Sequence, residues 1–302
     1  MTLSFMVHIC ANYRQRNKIL TIFTKESRVL ALFAGAGILC LCYTRLRYFA
    51  FLNRRLVMTS KFVHILGVPF IKATRLEFIE KLQQRIAQND KTFVVTANPE
   101  IVMHSLQDPD YKKILDKANY ITADGIGIVK AAGLIGDSLP ERVSGYDMML
   151  DLLALANEKH QRIFFLGAAE PVLQETVRLV EERYPNVIVA GQQNGFFDWE
   201  DPELPQRIRQ SQADLVFVAL GFPRQELWIG ANIDKFDKGV FIGIGGSFDV
   251  FSGNVKRAPE MWQKMNLEWF YRLVKQPSRW RRMLVLPKFA LVVLQRKASS
   301  SK

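Results

Sequence analysis

Polar side chains flanked by glycine follow several apolar runs of this sequence, and Asp124 is the one best suited to chemistry. It comes directly after the apolar run 120–123 and immediately before Gly125. A carboxylate at such a position could accept the proton of an attacking hydroxyl group, as a general base does. Aspartate also favours the N-cap of a helix at this kind of junction, so residue type and spacing leave both roles open.

Two arginines and a glycine-rich turn could bind a negatively charged ligand. Arg142 and Arg224 could each pair with a diphosphate group or with a surface acid, and the sequence leaves both readings open. The turn 243–246 (Gly-Ile-Gly-Gly) resembles a phosphate-binding loop, but it lacks the spacing of a dinucleotide fingerprint and the lysine of a P-loop. As an isolated motif, this turn is weak evidence for phosphate binding.

The sequence offers little support for a metal site. Asp108, Pro109 and Asp110 match the Asp-x-Asp pattern that many metal-dependent nucleotide-sugar enzymes use, but their polar surroundings favour a solvated turn. The four histidines are scattered, and the three cysteines all precede residue 58 without forming a CxxC pair. We therefore predict that no metal is bound.

The elements that would position these residues alternate along the chain. Apolar, β-branched runs predict strands at residues 92–96, 120–123, 162–166, 214–220 and 239–244, and residues 62–68 are predicted to be a strand or the edge of a strand pair. The segments between them have helical spacing of apolar residues, so we predict an α/β fold: a Rossmann-like parallel-sheet core with helices on both faces. Ligands bind such sheets at the carboxyl ends of the strands, where the polar groups above are expected to meet.

Charge divides the chain into three parts. Residues 1–57 carry a net charge of +8, residues 58–253 carry −6 and residues 254–302 carry +10, which together give the chain's +12. An acidic middle argues against nucleic-acid binding by the core. Two basic ends fit a body held against an anionic membrane surface, because each Lys or Arg near anionic headgroups contributes about 1 kcal/mol.

These parts are predicted to be an N-terminal extension (1–57), a catalytic α/β domain (58–253) and a basic C-terminal helical appendage (254–302). The extension contains an uncharged run, Val29–Tyr43, that is shorter than the ~20 residues needed to cross a bilayer. This run could be a membrane anchor. The extension could equally be upstream sequence translated from a misassigned start codon, with Met58 as the natural start.

The appendage combines aromatic and aliphatic residues with many basic residues between positions 262 and 288. This combination is typical of an interfacial helix, whose apolar face enters the membrane while its cations meet phospholipid headgroups. Basic, aromatic surfaces also bind single-stranded nucleic acid, and a packed terminal helix pair is a third interpretation. The membrane interpretation is favoured, and no nucleic-acid partner is predicted.

Seven motifs in chain order carry a resemblance to a known family: TANPEIV, TADGIGIV, ERVSGYDMM, FFLGA, GFPRQELW, GIGGSFDVFSGNVKRAP and LEWFYRLVKQPSRWRRM. Together they resemble the WecG/TagA/CpsF family of bacterial glycosyltransferases (glycosyltransferase family 26), over about residues 60–290. Each motif is weak alone, but seven in register are highly specific. The extension departs from the pattern, because relatives typically begin near the position of Met58.

The resemblance implies an inverting enzyme that needs no metal or other cofactor and acts at the cytoplasmic face of the plasma membrane. Its expected substrates are UDP-N-acetylmannosamine and the lipid-linked acceptor undecaprenyl-diphosphate-N-acetylglucosamine, in synthesis of the wall teichoic acid linkage unit. Relatives transfer N-acetylmannosaminuronic acid or other sugars for common antigen, capsule or exopolysaccharide, so the donor sugar stays open. Homo-oligomers are also implied.

The resemblance also implies roles for individual residues. Asp124 matches the catalytic base, and the substrate-binding residues would be Thr96, Asn98, Arg142, Gln225, Gly245 and Gly246. The resemblance also implies that the appendage closes the site and contacts the membrane. Its candidate residues for these roles are Arg272, Arg279, Arg281 and Arg282.

Two other function classes compete with a transferase. A nucleotide-sugar-binding scaffold subunit would keep the fold without the reaction, although the intact set of polar residues after the strands counts against it. An NAD-dependent enzyme is suggested only by fold type, because the glycine fingerprint and the acid that binds ribose are missing.

Overall fold

The computed structural model describes residues 19–24, 27–32, 61–277 and 280–300. Contacts between Cα atoms group the chain into two compact units, residues 1–59 and residues 60–302.

The smaller unit is described only in two strands, β1 (Ile19–Thr24) and β2 (Ser27–Leu32), which pair antiparallel. The predicted anchor Val29–Tyr43 begins inside β2, and the rest of it lies outside the described residues, as does the candidate start at Met58. Both interpretations of the extension therefore stay predictions.

The larger unit is built on a six-stranded sheet, and all of its strand pairings are parallel. A separate antiparallel hairpin of two short strands precedes it. The strands of the hairpin and the sheet are β3 (Phe62–Ile65), β4 (Val68–Ile71), β5 (Thr92–Ala97), β6 (Tyr120–Ala123), β7 (Arg162–Gly167), β8 (Ile188–Gln193), β9 (Leu215–Ala219) and β10 (Val240–Gly243). The order in the sheet is β6-β5-β10-β9-β7-β8.

Helices connect the strands and form the C-terminal end of the unit. The described helices are α1 (Arg75–Ala87), α2 (Pro99–Gln107), α3 (Pro109–Asp116), α4 (Ile126–Ile135), α5 (Gly145–Lys159), α6 (Glu170–Arg183), α7 (Glu203–Gln210), α8 (Arg224–Asn232), α9 (Ser247–Phe251), α10 (Glu260–Lys264), α11 (Glu268–Lys275), α12 (Trp280–Met283) and α13 (Val285–Ser300).

Local sequence explains where several helices begin. Thr74 and Glu77 form a capping box at α1, in which each side chain bonds to the other residue's backbone N–H. The side chain of Asp108 accepts hydrogen bonds from the backbone N–H groups of Asp110 and Tyr111 and so caps α3. The Asp-x-Asp segment, expected from its polar surroundings to be a solvated turn, is instead the start of a helix, because Asp108 caps the helix N-terminus.

Two buried clusters lie on opposite faces of the sheet and hold the layers together. Neighbouring residues of one strand point to opposite faces, so Val216 joins one cluster and Phe217 the other. Phe217 is fully buried, and truncating it to alanine would cost about 3–5 kcal/mol. This arrangement confirms the predicted α/β class, with helices on both faces of a parallel sheet.

The order of the strands creates a crevice at the centre of the sheet. The chain passes from β5 outward to β6, then crosses to the other half for β7 to β9, and returns as β10 between the halves. Ligands bind α/β sheets where the strand order reverses, beyond the carboxyl ends of the strands. Here that point lies beyond β5 and β10.

The helices of the predicted appendage belong to the same compact unit as the sheet. Its last helix, α13, packs against α2 and α4. Phe289 and Val293 of α13 are buried in one of the two core clusters, which explains why this part of the chain returns to the body. The appendage therefore reaches the strand ends that carry the candidate site.

Candidate active site

One cavity of about 590 Å³ opens at the carboxyl ends of the strands. Its walls come from the segments after β5, β6, β9 and β10, from the loop before α5 and from the appendage helices α11 to α13. The residues predicted for catalysis and substrate binding all line it: Thr96, Asn98, Asp124, Arg142, Gln225, Gly245 and Gly246. Loops far apart in the sequence thus converge on one site, as the strand-end rule predicted.

Asp124 lies half-buried at the end of β6, and close packing of glycine positions it. Its backbone N–H donates to the carbonyl oxygen of Ala97 at 2.9 Å. A Cβ added at Gly125 or Gly127 would lie 3.2 or 3.0 Å from the ring of Pro99, so the glycines let α4 approach the loop after β5. The N-cap of α4 is Gly125, one residue later, and Asp124 is not in the capping position.

Thr96 and Asn98 fix the backbone beside Asp124. The buried Thr96 hydroxyl donates to the Gly243 carbonyl oxygen at 2.6 Å, which joins the ends of β5 and β10. Asn98 Oδ1 accepts from the backbone N–H groups of Glu100 and Ile101, at 2.9 and 3.1 Å, and caps α2. Since the amide oxygen is engaged, the Asn98 Nδ2 group is the part that can donate to a ligand in the cavity.

Arg142 stands in a network of opposite charges. Its guanidinium group lies 3.1 Å from the Glu268 carboxylate of α11 and 3.5 Å from Asp147, and Arg257 lies 2.7 Å from the other oxygen of Asp147. Burial lowers the pKa of Arg142, but the charges of Asp124, Glu268 and Asp147 outweigh burial and raise that pKa above its ordinary value. Arg142 is a permanent cation at the wall of the cavity.

The glycine-rich turn after β10 is held by Gln225. Gln225 Oε1 accepts from the backbone N–H of Gly245 at 2.9 Å, and Gln225 Nε2 donates to Glu226 Oε1 at 2.7 Å. Gly245 has φ of +55°, a left-handed conformation that glycine adopts without strain. A Cβ at Gly243 would lie 2.8 Å from Gln225 Nε2, so only glycine fits against this amide.

The appendage closes one side of the cavity through a second ion pair. Arg282 Nε and an Arg282 terminal nitrogen donate to the two oxygens of Glu100, at 2.8 and 2.7 Å. Arg281 is placed differently, over the ring of its neighbour Trp280, 5.6 Å from the centroid. The Arg272 side chain and all of Arg279 lie outside the described residues, so their predicted roles stay predictions.

The appendage also carries a surface of exposed apolar side chains next to these arginines. Its exposed large residues are Met261, Met265, Trp269, Phe270, Val274, Trp280, Leu284, Leu291 and Leu294. Of the helices that the structure describes, none has the length and apolar character needed to cross a membrane.

Arg224 corrects one expectation. It donates to the carbonyl oxygen of Gly195 at 3.1 Å and lies over Trp199, 5.2 Å from the ring centroid. It is not among the residues that line the cavity, and it forms no ion pair with an acid in the described part of the chain. A surface acid is therefore not its partner in the described part of the chain, and pairing with a donor diphosphate stays a prediction. A carbonyl oxygen and an aromatic ring, both distant in sequence, hold this side chain.

Acids that sequence reasoning missed complete the site. Glu100, Glu226 and Glu268 pair with Arg282, Gln225 and Arg142 respectively. Glu226 and Glu268 are buried, which is unusual for glutamate unless it has a partner. Within the described residues, no group of three or more His, Cys, Asp or Glu side chains could hold a metal ion.

Comparison with known proteins decides the family. The sequence model of the glycosyl transferase WecG/TagA/CpsF family matches residues 63–302, which include all of the cavity. The chain belongs to this family. It is therefore a glycosyltransferase, and the resemblance of the seven motifs is confirmed.

Relatives with curated names agree with the family. The chain is 43% identical over 236 residues to an N-acetylglucosaminyldiphosphoundecaprenol N-acetyl-β-D-mannosaminyltransferase of Bacillus spizizenii, covering 78% of this chain and 91% of the relative. A protein of the same name from Bacillus subtilis is 42% identical over 239 residues (79% and 92%). One from Staphylococcus aureus is 37% identical over 242 residues (80% and 95%).

Proposed function

We propose that this protein transfers N-acetylmannosamine from UDP-N-acetylmannosamine to undecaprenyl-diphosphate-N-acetylglucosamine, in assembly of the wall teichoic acid linkage unit. The observation that carries the proposal is that Asp124 and Arg142 line one cavity, together with the backbone of Gly245 and Gly246. A volume of about 590 Å³ is within the range of small-ligand sites. The relatives named for this transfer support the choice of substrates.

The proposed reaction uses Asp124 as the general base. Its carboxylate accepts the proton of the acceptor sugar's hydroxyl group as the oxygen attacks the anomeric carbon of the donor. The bond between the anomeric carbon and the diphosphate oxygen breaks on the opposite face, and UDP leaves with the electron pair. The anomeric configuration is therefore inverted.

Negative charge that develops on the departing diphosphate needs positive groups already in place. Arg142 supplies a full charge, and the backbone N–H groups of Gly246 and Ser247 supply partial charges. The N–H groups of Ile244 and Gly245 already donate to the Val218 carbonyl oxygen and to Gln225 Oε1. Because Arg142 now pairs with Glu268, the diphosphate must share or displace that carboxylate. This arrangement favours a reaction without a metal or other cofactor.

We also propose that the appendage rests on the anionic cytoplasmic face of the plasma membrane. Exposed side chains such as Trp280 and Leu284 could enter the interface while Arg281 meets phospholipid headgroups. The site would then open where the lipid-linked acceptor resides. A homo-oligomer belongs to the same proposal, and light scattering at several concentrations would measure it.

Asp124→Asn tests the proposed chemistry. The variant should lower kcat by about 10²- to 10⁴-fold, the usual share of general acid–base catalysis, while the Kd for UDP stays unchanged. Purified protein would be assayed with a panel of UDP-sugars and a short-chain polyprenyl-diphosphate-N-acetylglucosamine. The matched control is Asp110→Asn, an exposed carboxylate outside the cavity. Full turnover by Asp124→Asn would remove Asp124 from the role of base.

The donor panel separates the remaining alternatives. Consumption of N-acetylmannosaminuronic acid or another sugar would keep the mechanism and change the donor. Binding of UDP-sugars without transfer to any acceptor would favour a scaffold subunit.

Vesicle binding tests the membrane proposal separately. The protein should sediment with vesicles that contain anionic phospholipid more than with zwitterionic vesicles. Trp280→Ser should weaken this binding, whereas Phe196→Ser, which changes an exposed aromatic residue outside the appendage, should not. Equal sedimentation with both vesicle types would contradict an electrostatic membrane contact.

A further inference from the structure

Glu226 is a fully buried acid next to the cavity, and the reaction proposed above does not use it. It lies in the first turn of α8, immediately after Gln225, and its exposed fraction is 0%. Burying a carboxyl group is costly unless hydrogen bonds or charges compensate for the lost hydration. A buried glutamate beside Gln225, which lines the cavity, therefore needs a physical reason.

A chain of two hydrogen bonds connects Glu226 to the glycine-rich turn. The backbone N–H of Gly245 donates to Gln225 Oε1, and Gln225 Nε2 donates to Glu226 Oε1. A backbone N–H can only donate, so Gln225 must present its oxygen to Gly245 and its nitrogen to residue 226. Residue 226 must consequently be an acceptor, and a glutamate carboxyl group offers an acceptor oxygen whether it is ionised or protonated.

Packing prevents the Gln225 amide from moving away from this geometry. The amide lies against Gly243, where a Cβ would come within 2.8 Å of Nε2 and 3.0 Å of Cδ. Gln225 is itself only 3% exposed. The orientation of the amide is thus fixed on one side by β10 and on the other by Glu226.

We propose that Glu226 is a positioning residue, which holds the Gln225 amide so that the turn after β10 presents its backbone to the leaving diphosphate. The inference rests on the proposed function, because it assigns a purpose to the same turn. Without an acceptor at residue 226, the Gln225 amide loses its partner and the Gly245 N–H loses a fixed oxygen.

The test replaces Glu226 with an apolar residue of similar length, Glu226→Met, and with the uncharged acceptor, Glu226→Gln. Hydrogen–deuterium exchange by mass spectrometry would report on the amides of residues 244–247, with and without UDP. Steady-state kinetics with the UDP-sugar panel would report kcat and KM. The matched control is Asn232→Ala, which removes a buried polar side chain from the far end of the same helix, where it donates to the Trp228 carbonyl oxygen.

We expect Glu226→Met to speed exchange in residues 244–247 by about 10- to 100-fold, the effect of losing one buried hydrogen bond. The Kd for UDP and kcat should worsen by a similar factor. Glu226→Gln, which keeps an acceptor oxygen, should recover most of both properties. Asn232→Ala should lower the melting temperature without changing exchange in the turn.

The outcomes distinguish this inference from the proposed function. Unchanged exchange in Glu226→Met would overturn the positioning role, whatever the activity. Faster exchange together with no turnover of any UDP-sugar by the natural protein would support the positioning role and refute the transfer reaction. If Glu226→Met does not fold, Gln225→Leu breaks the next link and should loosen the same four residues. Normal exchange there would overturn the inference equally.

Discussion

Replacing Glu226 by glutamine should change how the stability of the protein depends on pH. Burial raises the pKa of Glu226 from 4.5 to about 7, although hydrogen bonds from Gln225 and from its own backbone N–H act in the opposite direction. Two other titratable groups face Glu226. One is the buried Tyr111 hydroxyl, and burial raises its pKa. The other is Glu100, and Arg282 partly compensates its charge.

The sign follows from the number of protons that each state binds. Between pH 4.5 and 7 the folded protein keeps the Glu226 proton that the unfolded chain has already lost. Stability therefore falls as pH rises through this window. The contribution is fully present below pH 4.5 and lost above about pH 7. A shift of about 2.5 pH units at 1.36 kcal/mol each gives a loss of roughly 3 kcal/mol.

Urea denaturation of the natural protein and of Glu226→Gln at pH 5 to 8 would measure the effect. Other titrating groups act in both proteins, so the difference between their unfolding free energies isolates residue 226. That difference should move in favour of Glu226→Gln by about 2–3 kcal/mol as pH rises from 5 to 8. A constant difference would show that Glu226 titrates normally, and the burial argument would be refuted.

Two further predictions concern the cavity wall. Glu268→Gln removes a carboxylate that competes with a diphosphate for Arg142, so the Kd for UDP should fall by about 3- to 10-fold at low salt. Calorimetry would measure this Kd, and an unchanged or weaker affinity would contradict the competition. Gly245→Ala places a side chain at φ of +55°, so it should cost about 1 kcal/mol of stability and lower the melting temperature by about 2–4 °C. The control Gly133→Ala, inside α4, should not lower the melting temperature.

Much of the fold could be predicted because the strands carry their own signal. The run at 214–220 is apolar and β-branched, and glycine follows it, so its burial on both faces is visible from composition alone. The observed strand, Leu215–Ala219, differs from the prediction by one residue at each end. The position of Asp124 was predictable for a similar reason, since parallel strands end at one edge, whereas Arg142 reaches the cavity from the loop between two helices, α4 and α5.

The acids of the site could not be predicted because their partners are distant in sequence. Glu268 lies in a segment with exposed basic and aromatic neighbours, so its local sequence predicts a surface residue. It is nevertheless buried against Arg142, 126 positions earlier. The sequence around Glu226 likewise gives no sign that the first turn of α8 is buried. The contacts of Arg224 could not be predicted for the same reason, because the Gly195 carbonyl oxygen and the Trp199 ring that it contacts lie in a distant loop and carry no charge that would reveal the pairing.

The pairing of charges indicates which part of the site must move during the proposed reaction. Arg142 and Arg257 share Asp147, which Ser144 also holds through a 2.6 Å hydrogen bond at the start of α5. Displacing Asp147 would disturb the capped end of a core helix. Glu268 belongs to α11 and can leave Arg142 without disturbing the sheet. A diphosphate that takes the place of Glu268 therefore couples donor binding to the position of the appendage, and the lipid-linked acceptor would meet a site whose appendage wall has been released.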